Sequence, residues 1–299
     1  MTHLKLGILG MSECNGHPYS WSAIFNGYNP DYMKKCPFPV IPEYLFRQKF
    51  PEDKIKNATV DYIWTQDKEI SEHIAKAANI KHIVDNYIDM IGKVDAILLA
   101  RDDPEFHYEM SKPFLEAGLP VYIDKPLSVD VATAKKIYSL QRYKGQIFSC
   151  SAITFAREFQ LTDRDLSELG QLKYVDACVM KSWEKYGIHI IEPVLKIIGE
   201  RGKSVKTSIS NSLDTKIVTV LWEDGFQANF ISLGKSSIPI IIRLFGTGGY
   251  KNLIFQDTFY AFKSALQNFV NIVLKQSPFQ SEEFVLRTIE IIERGMYCE

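Results

Sequence analysis

The sequence predicts an α/β chain in two parts: an N-terminal doubly wound parallel sheet, then a C-terminal α+β domain with a mostly antiparallel open sheet. Three observations predict it. Apolar strand-like runs alternate with helically spaced segments through residue 151, in units of about 30 residues. The first strand ends in a turn of small residues that leads into a helix. After residue 152 the alternation stops, and short β-like runs separated by turn residues take over.

Residues 4–10 (Leu-Lys-Leu-Gly-Ile-Leu-Gly) read as a buried first strand, and the turn after it carries Gly10, Ser12, Asn15 and Gly16 before helical spacing resumes near Tyr19. A second strand over Ala58–Thr65 leads into a helix that opens on Gln66-Asp67-Lys68-Glu69 and repeats apolar residues at Ile70, Ile74, Ala77 and Ala78. The Pro- and Tyr-rich stretch 27–57 is too long for an ordinary connection and reads as an insertion. A short third unit (Ile83-Val84, then Tyr87 to Ile91) precedes the apolar run Val94 to Ala100, which has the character of a central parallel strand. A helix from Phe106 to Ala117 stops at Gly118, and Leu119 to Ile123 forms a fifth strand ending in Asp124-Lys125-Pro126. A helix over 129–142 and a strand over 146–151 complete the set. This is a Rossmann arrangement, whose ligands belong at the carboxyl ends of the strands. We therefore divide the chain into 1–126 and 127–299, with 129–142 and 146–151 packing back on the first domain.

In the second domain the β-like runs are Leu172 to Met180, Ser204 to Ser210, Ile217 to Trp222, Gln227 to Ser232 and Ile238 to Phe245. Turn chemistry stands at Glu223-Asp224-Gly225 and Gly246-Thr247-Gly248-Gly249. Two amphipathic helices close the chain, one presenting Phe259, Phe262, Leu266, Phe269 and Val273, the other Phe284, Ile289 and Ile292.

Bulk properties narrow the function. With 299 residues, 46% of them apolar, the chain can bury a sizeable core. A net charge of −1 without long single-sign runs argues against nucleic acid and membrane surfaces as partners. The N-terminus enters a strand without signal-peptide features, and no apolar stretch reaches the roughly 18 residues of a membrane span. A soluble, cytoplasmic protein is the expectation. Five scattered cysteines (Cys14, Cys36, Cys150, Cys178, Cys298) with no Cys-x-x-Cys pair read as reduced thiols, neither a disulfide framework nor a zinc site.

The first turn, Gly10 to Gly16, is not Gly-x-Gly-x-x-Gly, since Ser12 takes the middle position and the last glycine is displaced. Its physics survives if Ser12 is small enough, Gly16 supplies unusual dihedrals, and the helix N-terminus offers N–H groups to a diphosphate. An ordinary tight turn is the alternative. At the end of the second strand Thr65 stands where a ribose-binding acid belongs, so NAD is not clearly preferred over NADP; Asp67 either reaches the ribose or favours the helix start. Arg101, Asp102 and His107 after the fourth strand, and Asp124 and Lys125 after the fifth, share the carboxyl edge of the sheet. Lys125 there can bond a substrate hydroxyl and a cofactor ribose together, or else is an exposed loop lysine paired with Asp124. His17 and Cys14 have no spaced partners for a metal, and no metal site is expected. Trp183 and Trp222 are core or pocket-wall candidates, and Lys34-Lys35 reads as a solvated rim.

These segments resemble the Gfo/Idh/MocA family (glucose-fructose oxidoreductase, inositol dehydrogenase, rhizopine catabolism). The resemblance is carried by the first turn, by Ala117-Gly118-Leu119-Pro120-Val121-Tyr122-Ile123-Asp124-Lys125-Pro126-Leu127, by Phe155-Ala156-Arg157-Glu158-Phe159 and by the closing helix pair. The family's Glu-Lys-Pro appears as Asp-Lys-Pro, and its Asp-x-Gly-x-His-x-x-Asp as Lys185-Tyr186-Gly187-Ile188-His189-Ile190-Ile191-Glu192. The resemblance implies a dehydrogenase or reductase that uses NAD or NADP on CH–OH groups of sugars or cyclitols, with Lys125 and His189 catalytic. It also implies that Arg157, Trp183, Tyr186 and His189 contact substrate, and that a homodimer or tetramer forms through sheet-to-sheet association. Lys185 replaces the family's acid and is counted with Lys125 and His189 in the catalytic set; it either draws an acidic or keto ligand or pairs with Glu184 or Glu192 at the rim. The competing reading is a catalytically impaired dinucleotide- or sugar-binding regulatory protein on the same fold.

Overall fold

The structure, a computed structural model, describes residues 3–297; Cys298 lies outside the described residues. The chain divides into two compact units. The first runs up to residue 128 and includes 132–150 and 262–282, while the second comprises 129–131, 151–261 and the chain from 283.

The first unit holds six parallel strands: β1 (Leu4–Gly10), β2 (Ala58–Thr65), β3 (His82–Ile83), β4 (Ala96–Leu99), β5 (Val121–Ile123) and β6 (Ile147–Phe148). Their order is β3-β2-β1-β4-β5-β6. Every residue of β4 is buried, as expected of a strand covered on both faces. The order reverses between β1 and β4, and the carboxyl ends of these strands, at Gly10 and Leu99, flank the switch point where such folds take ligands. Helix α1 (His17–Asn26) follows the first turn. The insertion is folded: it carries α2 (Pro30–Met33) and α3 (Val40–Leu45) and buries Met33, Ile41 and Leu45. Helices α4 (Lys68–Ala77), α5 (His107–Glu116) and α6 (Val131–Tyr138) connect the later strands.

In the second unit the sheet order is β12-β11-β7-β10-β9-β8, with β7 (Leu172–Val179), β8 (Ser204–Ser212), β9 (Thr215–Trp222), β10 (Gln227–Ser232), β11 (Ile241–Gly246) and β12 (Tyr250–Ile254). Among the described residues of this sheet only the β7–β10 pair is parallel. The remaining helices are α7 (Asp163–Leu169), α8 (Trp183–Tyr186), α9 (Ile188–Ile198), α10 (Thr258–Val273) and α11 (Glu282–Arg294). Residues 238–240 do not extend β11; Pro239 cannot donate to the ladder. Sequence reading missed β12, which buries only Leu253, and α7, although its Thr162–Asp165 capping box is a readable signal.

The alternation along these strands puts Val175, Ala177, Val179, Val218, Val220, Ala228, Phe230, Ile242 and Leu244 into one core with Ile190, Ile191 and Val194 of α9. The opposite face is half-buried. Register aligns Ile241, Cys178, Ile231 and Ile217 in an apolar row across four strands, beside a polar row of Arg243, Asp176, Asn229 and Thr219. Among the described residues no helix is long and apolar enough to cross a membrane.

Candidate active site

In the first unit the predicted cofactor residues gather at the carboxyl edge of the sheet. Ser12 Oγ donates to Asp102 Oδ1 at 2.6 Å, and the Asp102 N–H returns to Ser12 Oγ at 3.1 Å. The other Asp102 oxygen lies 3.4 Å from Lys125 Nζ, so one carboxylate joins the first turn to the lysine. Lys125 is neither an exposed loop residue nor paired with the Asp124 side chain, which instead accepts its backbone N–H at 2.8 Å. Asp124 is buried and binds back to the turn: Asn15 Nδ2 donates to its Oδ2 at 3.0 Å, and His17 Nδ1 lies 2.5 Å from the same oxygen. His17 has no metal-ligand spacing in sequence; its partner lies 107 residues away and is set beside it by the parallel sheet.

The glycines of the turn serve close packing. A Cβ on Gly10 would run into Pro18, and one on Gly16 would come within 2.5 Å of both Phe38 and Ile41 of the insertion. Gly16 has φ −96°, so the expected special dihedral is not there; Cys14, at φ +61°, makes the left-handed step instead. Among the described residues, the backbone N–H groups of Ser12, Glu13, Cys14 and Gly16 donate to no acceptor, and α1 has no acidic residue in its first turn. Such a turn fits a diphosphate.

Other predicted cofactor residues are spent on structure. Thr65 Oγ1 donates to the Asp67 carbonyl at 2.5 Å and lies 2.8 Å from Ser71 Oγ. Asp67 caps α4. Gln66, which sequence reading passed over, clasps the turn by accepting the Met11 N–H at 2.9 Å and donating to its carbonyl. Arg101 makes a two-pronged pair with Asp103 at 2.9 and 2.5 Å and lies over the Phe106 ring. The His107 ring is fully buried, with its nitrogens 3.0 Å from the Leu127 carbonyl and 2.8 Å from that of Arg101. It braces the two loops from inside and is not placed to touch a dinucleotide.

The second unit holds a separate polar cluster. His189 sits in the first turn of α9, its Nδ1 2.7 Å from Ser151 Oγ. Ser151 N–H and Thr154 Oγ1 both donate to Glu192 Oε2, at 2.6 and 3.1 Å. Glu192 is buried, and that burial pushes its carboxyl up to about 8 against the opposing pull of these two hydrogen bonds. Ser151 thus fixes both the histidine and the acid, which sequence spacing alone did not reveal. Tyr186 meets the His189 ring edge-on at 5.1 Å.

Three further residues of the expected site are placed by their surroundings. Trp183 is a core residue: its Nε1 donates to the Ile292 carbonyl at 2.9 Å, and Gly187 packs so tightly on it that a Cβ would come within 2.8 Å of its carbonyl oxygen. Arg157 is committed to Asp257 at 3.4 Å and to the Tyr260 ring. Lys185 is exposed and pairs with neither anticipated acid, because Glu184 faces Lys216 and Glu192 is buried.

Residues 47–151 match the model of a family described as oxidoreductases with an NAD-binding Rossmann fold, Gfo/Idh/MocA. Through this segment the chain is similar to the Gfo/Idh/MocA oxidoreductases. An uncharacterized oxidoreductase of Synechocystis is 27% identical over 118 residues, which is 38% of this chain and only 32% of that relative's length. The fold extends further. Myo-inositol 2-dehydrogenase of Lactobacillus plantarum superposes with a TM-score of 0.71 at 16% identity, covering 98% of this chain and 96% of that one. Scyllo-inositol dehydrogenase of Lactobacillus casei with bound NAD(H) and scyllo-inositol gives 0.70 at 14% identity, covering 97% and 95%. Asp-Lys-Pro and Lys185 depart from the motifs on which the resemblance rests.

Proposed function

We propose that the protein is an NAD(P)-dependent oxidoreductase that passes a hydride between nicotinamide and a carbinol or keto carbon of a sugar, sugar derivative or cyclitol. The reading is carried by the Ser12–Asp102–Lys125 chain, which ties a turn with undonated N–H groups at the sheet's switch point to a buried lysine after β5. A nicotinamide dinucleotide, when bound, supplies the hydride chemistry. The protein does the rest. In the first unit the turn would hold the diphosphate and Lys125 would donate to a substrate oxygen; in the second, His189, oriented by Ser151, is the group able to exchange a proton. The family description supports the cofactor class, and the neighbour holding scyllo-inositol supports a polyol-like substrate.

A binding or regulatory role is the second reading, favoured by Ser12 in the middle glycine's place and Lys185 in the acid's. A panel of sugars, cyclitols and sugar acids, assayed with both cofactors by nicotinamide absorbance, separates the two. Turnover on any member supports the enzyme. Cofactor binding by calorimetry with no turnover across the panel supports the regulator.

A further inference from the structure

The carboxyl edge of the first unit's sheet holds His107 and His17 in different ways. His107 is buried with both ring nitrogens against backbone carbonyls, which leaves it nothing to offer a ligand. His17, the first residue of α1, meets a partner at one ring nitrogen only. Its Nδ1 lies 2.5 Å from Asp124 Oδ2. Its Nε2 has no partner among the described residues and is not sealed in, and 18% of the side-chain surface stays open. Asp124 Oδ2 also accepts from Asn15 Nδ2 at 3.0 Å, and its Oδ1 accepts the Lys125 N–H at 2.8 Å. The carboxylate is thus an acceptor at both oxygens, so the hydrogen of the histidine contact stands on Nδ1, and the lone pair of the neutral imidazole falls on Nε2.

The ring is also clamped. Asn15 Oδ1 accepts the His17 backbone N–H at 2.8 Å, so one amide braces both the histidine and its acid. The imidazole stacks on Trp21 with ring centres 5.1 Å apart, Trp21 stacks on Tyr122 of β5 at 4.8 Å, and Phe262 meets the imidazole edge-on at 5.0 Å. All of these residues belong to the first unit. A histidine kept only for packing has both nitrogens satisfied, as His107 has; a carboxylate, an oriented imidazole and one open nitrogen are the parts of an acid–base group. The open nitrogen shares the sheet edge with the undonated N–H groups of the first turn and with Lys125, the chain neighbour of Asp124.

We infer that His17, oriented by Asp124, is a catalytic base of this enzyme and takes the proton of the substrate hydroxyl at Nε2. The inference rests on the proposed oxidoreductase reading and uses residues of the first unit alone. In the oxidative direction the carbinol O–H breaks and its proton passes to the Nε2 lone pair. The O–H bonding pair becomes the C=O π pair, and the carbinol C–H pair leaves as hydride to the oxidised nicotinamide. Asp124 stabilises the imidazolium so formed, and Nε2 returns the proton to water on the open side of the ring.

The test uses His17→Asn, whose amide keeps a donor for Asp124 and has nothing in the place of Nε2, and His17→Ala, which removes both. On a panel alcohol oxidised by wild type, His17→Asn is expected to lower kcat about 100-fold and leave KM within about threefold. Added imidazole should restore part of the rate to His17→Ala, which a purely structural loss would not allow. A second readout is not activity: in 15N-histidine-labelled protein above neutral pH, the NMR resonances that His17→Asn deletes should show a protonated Nδ1 and a bare Nε2. The Nε2 resonance should move when NADH and the panel alcohol of that assay are added together, a pairing that cannot react. Wild-type turnover with His17→Asn within about threefold in kcat overturns the inference and leaves the oxidoreductase reading standing, as does a His17 ring that carries its proton on Nε2. Absence of wild-type turnover across the panel overturns that reading, and the inference falls with it.

Discussion

Asp67 Oδ1 accepts the backbone N–H of Glu69 at 2.8 Å, and that of Ile70 at 3.3 Å. The carboxylate nearest the end of β2 is thereby spent on capping α4, and Thr65 is turned inward to Asp67 and Ser71. A dinucleotide fold that prefers NAD usually keeps an acid free for the ribose 2′-hydroxyl, and such an acid repels a 2′-phosphate. NADPH is therefore expected to be tolerated. Calorimetry decides it: NADH binding tighter than NADPH by about 1.4 kcal/mol or more, a tenfold preference, would contradict the expectation.

Glu192 supplies a pH dependence with a definite sign. Its carboxyl is raised from 4.5 to about 8 by burial, so the folded state holds this proton more tightly than the unfolded chain does. The resulting stability is fully present below pH 4.5 and is lost as pH rises to about 8. Glu192→Gln lacks this loss. In urea unfolding at pH 5 and at pH 8.5, wild type should fall relative to Glu192→Gln by an amount on the order of 3–4 kcal/mol. Equal pH dependence of the two would show that Glu192 is not titrating in the fold.

We expect the half-buried sheet face of the second unit to be an assembly surface. An apolar row of Ile241, Cys178, Ile231 and Ile217 beside a polar row anchored by the Arg243–Asp176 pair offers a surface that a second copy can cover. A homodimer, or a tetramer of such dimers, is expected in light scattering at micromolar concentration, and Ile217→Glu should drive it to monomer. A monomeric wild type would defeat this.

Lys185 is expected to select the ligand. An exposed ammonium one turn before His189 favours a carboxylate or keto oxygen, so acidic or keto sugars should outcompete neutral polyols. Lys185→Asp should reverse that order. If mutant and wild type rank the same panel alike, Lys185 has no part in selection.

The fold was legible because its signals are local: β2 runs over the residues its apolar pattern marks, and the β-like runs of the second unit alternate as a one-sided sheet must. The site was legible only where the resemblance marked it. Nothing in the spacing of His17 and Asp124, or of Ser151 and His189, foretells contacts across 107 and 38 residues. Residues such as Arg101, His107 and Trp183 have the right chemistry for a ligand, yet buried donors and charges must find partners, and these found them in the protein. Composition cannot distinguish the two uses.

Lys125 carries the central claim. In a wild type that oxidises or reduces a member of the sugar and cyclitol panel, Lys125→Ala should lower kcat/KM by at least about 100-fold, while the dissociation constant for NADH or NADPH changes far less. A folded Lys125→Ala protein that turns over at close to the wild-type rate would contradict the account.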